Sequence, residues 1–376
     1  MLIDFTKHPI LKAPTDEEII LLGEADPRLL SDLHEAHEGR IRAAESDPLR
    51  HGFDLPGWNR MRNAIEKYDE VITFGGNRSG KTTGCAKMVM QAVTENQDGH
   101  VVCFSQNADT SVKVQQAAVW EMMPKEFRRK TKGIEGYINF SMQNGFTGSS
   151  FIFPDTRTRV DFKTYTQFSN NQTILEGFEF GFKNSERLNI GAWLDEYLGD
   201  AALVNTLRFR LATRDSKMIL GFTPIDGYTP FVSEYLKGAE TLETKNAELL
   251  GKDVPVQQYS PERDAGIVYL HSDENPFGGY DRIAKDLKNS SEDQIMVRAY
   301  GLPTKSMTSL LPNFTPELNV VTDEPNKHGI KFPDKDSLTW YQIVDPAFAR
   351  NYVALWAGVS EEDEIFIRKE WPDRDT

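Results

Sequence analysis

Residues Gly75-Gly76-Asn77-Arg78-Ser79-Gly80-Lys81-Thr82 stand between a β-branched run, Val71-Ile72-Thr73-Phe74, and an Ala- and Met-containing stretch. Strand, glycine-rich turn ending in Lys-Thr, and helix, in that order, make a P-loop. A chance glycine turn would not carry the whole pattern in that context. The glycines let the backbone turn tightly, so that successive N–H groups and the helix N-terminus point at the β- and γ-phosphates of a nucleotide. Lys81 adds a mobile positive charge, and the Thr82 hydroxyl, with Thr83 beside it, is of the type that ligates Mg2+. The loop from Gly75 to Thr83 is therefore expected to bind a nucleoside triphosphate with Mg2+.

A chain of 376 residues with 39% hydrophobic content has room for two domains and a sizeable core. No run of about 18 apolar residues occurs, and Met1-Leu2-Ile3-Asp4-Phe5-Thr6-Lys7 lacks the pattern of a signal peptide. A cytoplasmic protein without a membrane partner is expected. The only cysteines, Cys85 and Cys103, have no CxxC or His-rich partner, which fits buried thiols in a reducing compartment. A net charge of −14 argues against a chain that coats DNA over its whole surface. Two basic stretches survive that average, Lys125, Arg128, Arg129, Lys130 and Lys132, and Arg208, Arg210, Arg214 and Lys217. Each fits a solvated face, and each also fits transient tracking of a duplex.

Residues 15–46 carry Glu, Leu, Ala and Arg at helical spacing, with a capping-box start from Thr15 to Glu18 and a break into two helices at Pro27. From Ile65 strands alternate with helices: a strand at 71–74, a helix from Thr82 to Thr94, a strand at 100–105 and a helical stretch to Met123. This pattern predicts an α/β fold with a mostly parallel sheet covered on both faces. Glycines between aromatic runs in 133–166 predict strands joined by tight turns. Met218-Ile219-Leu220-Gly221-Phe222 reads as the last strand of that sheet, followed by a helix near 230–239, a polar connector and a helical segment around 281–299. Runs at 340–347, 352–359 and 364–371 predict a three-stranded meander. The expected division is an N-terminal helical extension (1–55), a P-loop core (56–240), a lid or linker region (241–330) and the opening of a further domain (331–376).

Ile190-Gly191-Ala192-Trp193-Leu194-Asp195-Glu196 is an apolar strand ending in two carboxylates, a Walker B pattern. Asp195 would hold Mg2+ and Glu196 would act as general base on the attacking water. Side chains adjacent at a strand end diverge, so one can serve the metal and the other the nucleophile. The pair favours an ATPase that converts hydrolysis into movement. No Asn-Lys-x-Asp base reader of a GTPase occurs, and small-molecule kinases commonly lack the second acid. Arg78 is placed to neutralise transition-state charge, and Lys81 to hold the transferred phosphoryl group. Thr223 is placed to sense the γ-phosphate, although a Thr closing a strand before Pro224 fits equally well. Trp58 reads as a core residue or an adenine contact, and His34 and His37 lack the partners of a metal site.

These segments together resemble the large subunits of tailed-bacteriophage terminases. The loop with its internal Arg78, the approach from Asp161-Phe162-Lys163-Thr164-Tyr165 to Leu194-Asp195-Glu196, and Phe222-Thr223-Pro224-Ile225-Asp226-Gly227-Tyr228-Thr229-Pro230 carry the likeness. So do Glu292 through Gly301-Leu302-Pro303, Leu311-Pro312-Asn313-Phe314, and Val344-Asp345-Pro346-Ala347. The resemblance implies an ASCE, RecA-like P-loop NTPase joined to the first strands of an RNase H-like nuclease, with Asp345 as a metal ligand of that second site. It also implies a ring of subunits on a portal protein, driving double-stranded DNA into a procapsid with ATP, with a small terminase subunit delivering the genome. The setting would be the host cell cytoplasm and, transiently, the portal vertex. Thr223 would be the coupling residue, and Arg157, Arg159 and Arg187 are candidates for a trans-acting arginine. The family's later nuclease carboxylates do not occur, and Glu364, Glu370 and Asp373 fit a charged strand edge better. A helicase- or repair-type ATPase and a regulatory nucleotide-binding protein are the competing functions.

Overall fold

Six parallel strands, each long enough to cross a core and all but one nearly free of charge, set the architecture. The computed structural model describes residues 27–128, 137–183, 185, 188–196, 201–225, 227–304, 321–325, 331–345, 353–361 and 364–371. The chain divides into two units, 1–308 and 309–376. In chain order the first holds β1 (Glu70–Gly75), β2 (His100–Ser105), β3 (Phe140–Ser141), β4 (Gly145–Phe146), β5 (Ser150–Ile152), β6 (Arg159–Thr164), β7 (Ile190–Asp195), β8 (Lys217–Phe222), β9 (Glu240–Ala247), β10 (Lys252–Ser260) and β11 (Ala265–Leu270).

Nine of these form one sheet in the order β5-β6-β2-β7-β8-β1-β11-β10-β9, while β3 and β4 make a separate short hairpin. From β6 to β11 every pairing is parallel, and β5, β10 and β9 are antiparallel additions at the two ends. The loop strand β1 is separated from the acid-bearing β7 by β8, the strand order of the ASCE, RecA-like class of P-loop NTPase. Because the six strands run the same way, Gly75, Asp195 and Phe222 all end on one edge of the sheet, where α/β proteins bind ligands.

The strands are apolar on both faces because helices cover both. Val71, Cys103, Trp193 and Ile219 pack with the helices Pro56–Lys67 and Lys81–Glu95. Ile72, Phe104, Leu194 and Leu220 pack with Ala201–Ala212, Pro230–Leu236 and Glu292–Tyr300. Cys85 and Cys103 are both free and fully buried, and burial pushes both thiols far up, so they act as apolar packing.

Several expectations need correction. The polar connector is three strands, β9 to β11, and β11, not β8, is the last parallel strand, paired along its length with β1. The helical stretch after β2 contains a π-helical segment, Ser111–Gln116, and the helical segment around 281–299 consists of two helices, Tyr280–Leu287 and Glu292–Tyr300. In the N-terminal extension the helix Pro27–Ser46 forms with Pro27 in its first turn, while Thr15 to Glu18 lie outside the described residues.

The second unit contains β12 (Thr339–Asp345), β13 (Val353–Val359) and β14 (Ile365–Trp371), an antiparallel meander as the sequence predicts. Asp345 ends β12, and its side chain lies outside the described residues, as do Leu311 to Phe314.

Candidate active site

The loop after β1 is shaped by contacts that leave no room for side chains. A Cβ on Gly75 would lie 2.7 Å from Ser79 Oγ, and one on Gly76 would lie 2.4 Å from the Ala299 carbonyl oxygen. Arg78 and Gly80 both take left-handed backbone, at φ 57° and 84°. Gly80 then starts the helix Lys81–Glu95 with no side-chain cap, which leaves the first N–H groups for an anion.

Three distant segments hold this loop. Gly76 N–H donates to the Leu270 carbonyl at 3.0 Å, and Asn77 N–H to the Arg298 carbonyl at 2.5 Å. The Ser272 hydroxyl donates to the Asn77 carbonyl at 2.6 Å, and Asn275 Nδ2 to the Arg78 carbonyl at 2.7 Å. His271, adjoining this grip, is fully buried, and burial pushes its ring down to about 4, so it is neutral at physiological pH. Gly301 caps the helix Glu292–Tyr300 at φ 65°, and a Cβ there would meet the Gly75 backbone at 2.7–2.8 Å. Gly301→Ala is accordingly expected to lower stability by about 2–4 kcal/mol, combining left-handed strain with a backbone clash. Denaturant unfolding measures this, and a variant as stable as its parent would show that Gly75 and Gly301 do not touch.

Lys81, Thr82, Asp195, Glu196 and Thr223 converge at the sheet edge. Lys81 is buried, and its Nζ donates to Glu196 Oε1 and, at 3.1 Å, to the Thr223 hydroxyl. Glu196 Oε2 accepts the Thr223 N–H at 3.2 Å. Glu196 is itself left-handed, at φ 48°, and its N–H donates to the Gly221 carbonyl. That turn separates the two acids: the Glu196 side chain is 49% exposed, while Asp195 is 3% exposed. The Thr82 hydroxyl donates to the Asp195 carboxylate at 3.4 Å. Burial pushes the Asp195 carboxyl up to about 7, against the Lys81 ammonium and with the help of the Glu196 charge. The Tyr165 hydroxyl, which no local pattern marks, donates to the Asp195 carbonyl at 2.8 Å and fixes the end of β7.

Arg78 is exposed, and its guanidinium makes no ion pair or hydrogen bond among the described residues. Asn77 is likewise exposed, Ser79 is buried and Thr83 is half-buried at the start of the helix. Trp58 belongs to the core. The basic stretches are less free than the sequence suggests. Arg208 forms a two-pronged pair with Glu70, Arg214 donates to the Gly181 carbonyl, and Lys217 pairs with Asp69 at 2.7 Å. Arg128 donates to the Met123 and Glu121 carbonyls, and Arg129, Lys130 and Lys132 lie outside the described residues. Of the arginines considered for a trans role, Arg157 pairs with Asp98, Arg159 with Asp161, and Arg187 lies outside the described residues. The side chains of His34 and His37 lie outside them too. Among the described residues no cluster of three or more His, Cys, Asp or Glu is arranged to hold a metal, and no helix is long and apolar enough to cross a membrane.

No protein-family model matches the chain, and no curated protein does. Among solved structures it is similar to the large terminase of a thermophilic bacteriophage, with 13% identity over 84% of this chain and 68% of that one and a TM-score of 0.47. The same terminase in complex with ATP-γ-S matches with 13% identity over the same shares of the two chains and a TM-score of 0.43. The large terminase ATPase domain of a Thermus phage matches with 12% identity over 62% of this chain and 87% of that one, at a TM-score of 0.40.

Proposed function

We propose that this chain is the ATP-hydrolysing motor subunit of a bacteriophage terminase, the large subunit that moves double-stranded DNA into a procapsid. The observation that carries the proposal is the convergence of Lys81, Thr82, Asp195, Glu196 and Thr223 at the carboxyl edge of a P-loop sheet. The Lys81 ammonium has three donors, of which Glu196 and Thr223 take two, so one remains for a phosphate oxygen. Glu196 reaches Lys81 from the solvent side and can take the proton of a water aimed at the γ-phosphate. Arg78 supplies a second cation for the charge that develops there.

Thr82 and Asp195 offer a hydroxyl and a carboxylate side by side, oxygen donors of the kind Mg2+ prefers. When bound there, the ion would neutralise charge on the β- and γ-phosphate oxygens. Asp195 would serve it in the ionised form. Thr223 joins this chemistry to the segment that follows β8: its hydroxyl accepts from Lys81, and its N–H holds Glu196. A change at either partner reaches the 223–230 segment through one hydrogen bond, which suits a coupling role.

The wider assembly belongs to the same proposal: further copies in a ring on a portal protein, a small terminase subunit that delivers the genome, and an RNase H-like nuclease domain in which Asp345 holds a metal. Host cytoplasm, with transient residence at the portal vertex, is the matching location. A helicase would place a second RecA-like domain after residue 240, whereas residues 240–270 complete the first sheet. The test is ATP turnover by the purified chain with and without linear duplex DNA, with strand displacement from a triplex and from a forked duplex measured in parallel. Stimulation by duplex and displacement from the triplex alone are expected. Unwinding of the fork would favour the helicase, and turnover indifferent to DNA would remove the motor.

A further inference from the structure

Trp58 is fully inside the core, yet its indole N–H is directed at the P-loop and donates to the Gly80 carbonyl at 3.1 Å. That oxygen also accepts the Gly84 N–H at 2.8 Å as the helix begins. The Gly80 carbonyl shares one rigid peptide plane with the Lys81 N–H, and in a trans peptide the two point in opposite directions. Holding the oxygen from the core side therefore sends the Lys81 N–H toward the side of the loop on which phosphate binds.

The ring has little freedom to do otherwise. It stacks on Phe53 at 5.3 Å with planes 22° apart, and Lys87 Nζ lies 5.7 Å from the ring centre, itself anchored to the Phe53 carbonyl and to Asp54 at 2.7 Å each. On the loop side, a Cβ at Gly84 would lie 2.5 Å from indole Cδ1 and Nε1, and one at Gly80 would lie 3.3 Å from Cζ2. Both glycines thus make room for the indole. Gly80 needs that outside support because no side chain caps this helix and its backbone is left-handed.

We infer that Trp58 is a positioning residue for nucleotide phosphates, acting through the orientation of the Gly80–Lys81 peptide and not by touching the base. The inference rests on the reading of the loop as a nucleotide site. It is tested on the full chain with Trp58→Phe, which keeps an aromatic ring and removes the donor. Kd and KM for both Mg-ATP and Mg-GTP are expected to rise about tenfold, the worth of one well-placed hydrogen bond, with an unchanged ATP-to-GTP ratio and kcat within a few-fold of the parent. Gly84→Ala, which favours the helix but drives a methyl group into the indole, is expected to act in the same direction and gives the answer if Trp58→Phe does not fold. Unchanged Kd in a folded variant overturns the inference, as does a shifted ATP-to-GTP ratio, which would make the ring a base contact. A parent chain that binds neither nucleotide overturns the nucleotide reading, and this inference with it. A parent that binds beside variants that bind equally well overturns the positioning role alone.

Discussion

Glu196→Gln is expected to lower ATP turnover by about two to four orders of magnitude, the range for a positioned general base, with nucleotide affinity held within a few-fold. Glutamine has the size and shape of glutamate, and its carbonyl oxygen can still accept from Lys81 or from the Thr223 N–H. What it lacks is the ability to take a proton. It also removes a negative charge from Lys81, so Mg-ATP has one competitor fewer for that ammonium and is not expected to bind less well. Single-turnover hydrolysis beside equilibrium binding of Mg-ATP separates the two effects. Turnover at the parental rate in a folded variant would remove Glu196 as the general base.

Asp195→Asn should affect function and stability in opposite senses. Function should fall by a similar two to four orders of magnitude in Mg2+-dependent turnover, because the amide cannot supply the anionic oxygen beside Thr82. Stability should rise. The folded carboxyl titrates near 7 and the unfolded one near the ordinary 3.8, so between those values the folded state binds more protons. This contribution favours folding below about pH 4 and is lost as pH climbs to about 7. Asparagine carries no such charge, so above pH 7 the variant should be more stable than its parent by about 2 kcal/mol or more. Parental affinity for Mg-ATP should in turn weaken as pH drops from 7 towards 5, by as much as about tenfold per unit, as the carboxylate takes up its proton. Unfolding curves at pH 5 and pH 8 decide the matter, and equal stability of parent and variant at both would mean that Asp195 is not buried as described.

The parts of the site written in consecutive residues were legible. The loop from Gly75 to Thr82 and the acids ending β7 are local patterns, and their meeting follows from parallel strands that finish on one edge. What was not legible depends on pairs far apart in the chain. Ser272 and Asn275 look like an ordinary polar turn until the fold sets them against Asn77 and Arg78. Arg208 reads as a free cation until Glu70, 138 residues away, is beside it. Strand β9 escaped because nearly all of it is exposed, so no apolar alternation marks it. Strand β11 is a clear apolar run, fully buried, but polar segments on either side concealed its place next to β1.

The two ends of the nine-stranded sheet have a consequence for crowding. An unpaired strand edge is a template for another chain, and among the described residues this sheet has two of them. One is β5, only three residues long. The other is β9, whose outward-facing stretch carries Glu240 and Glu243 and so repels an identical edge. A short strand at one end and exposed carboxylates at the other both disfavour backbone-to-backbone pairing of identical edges.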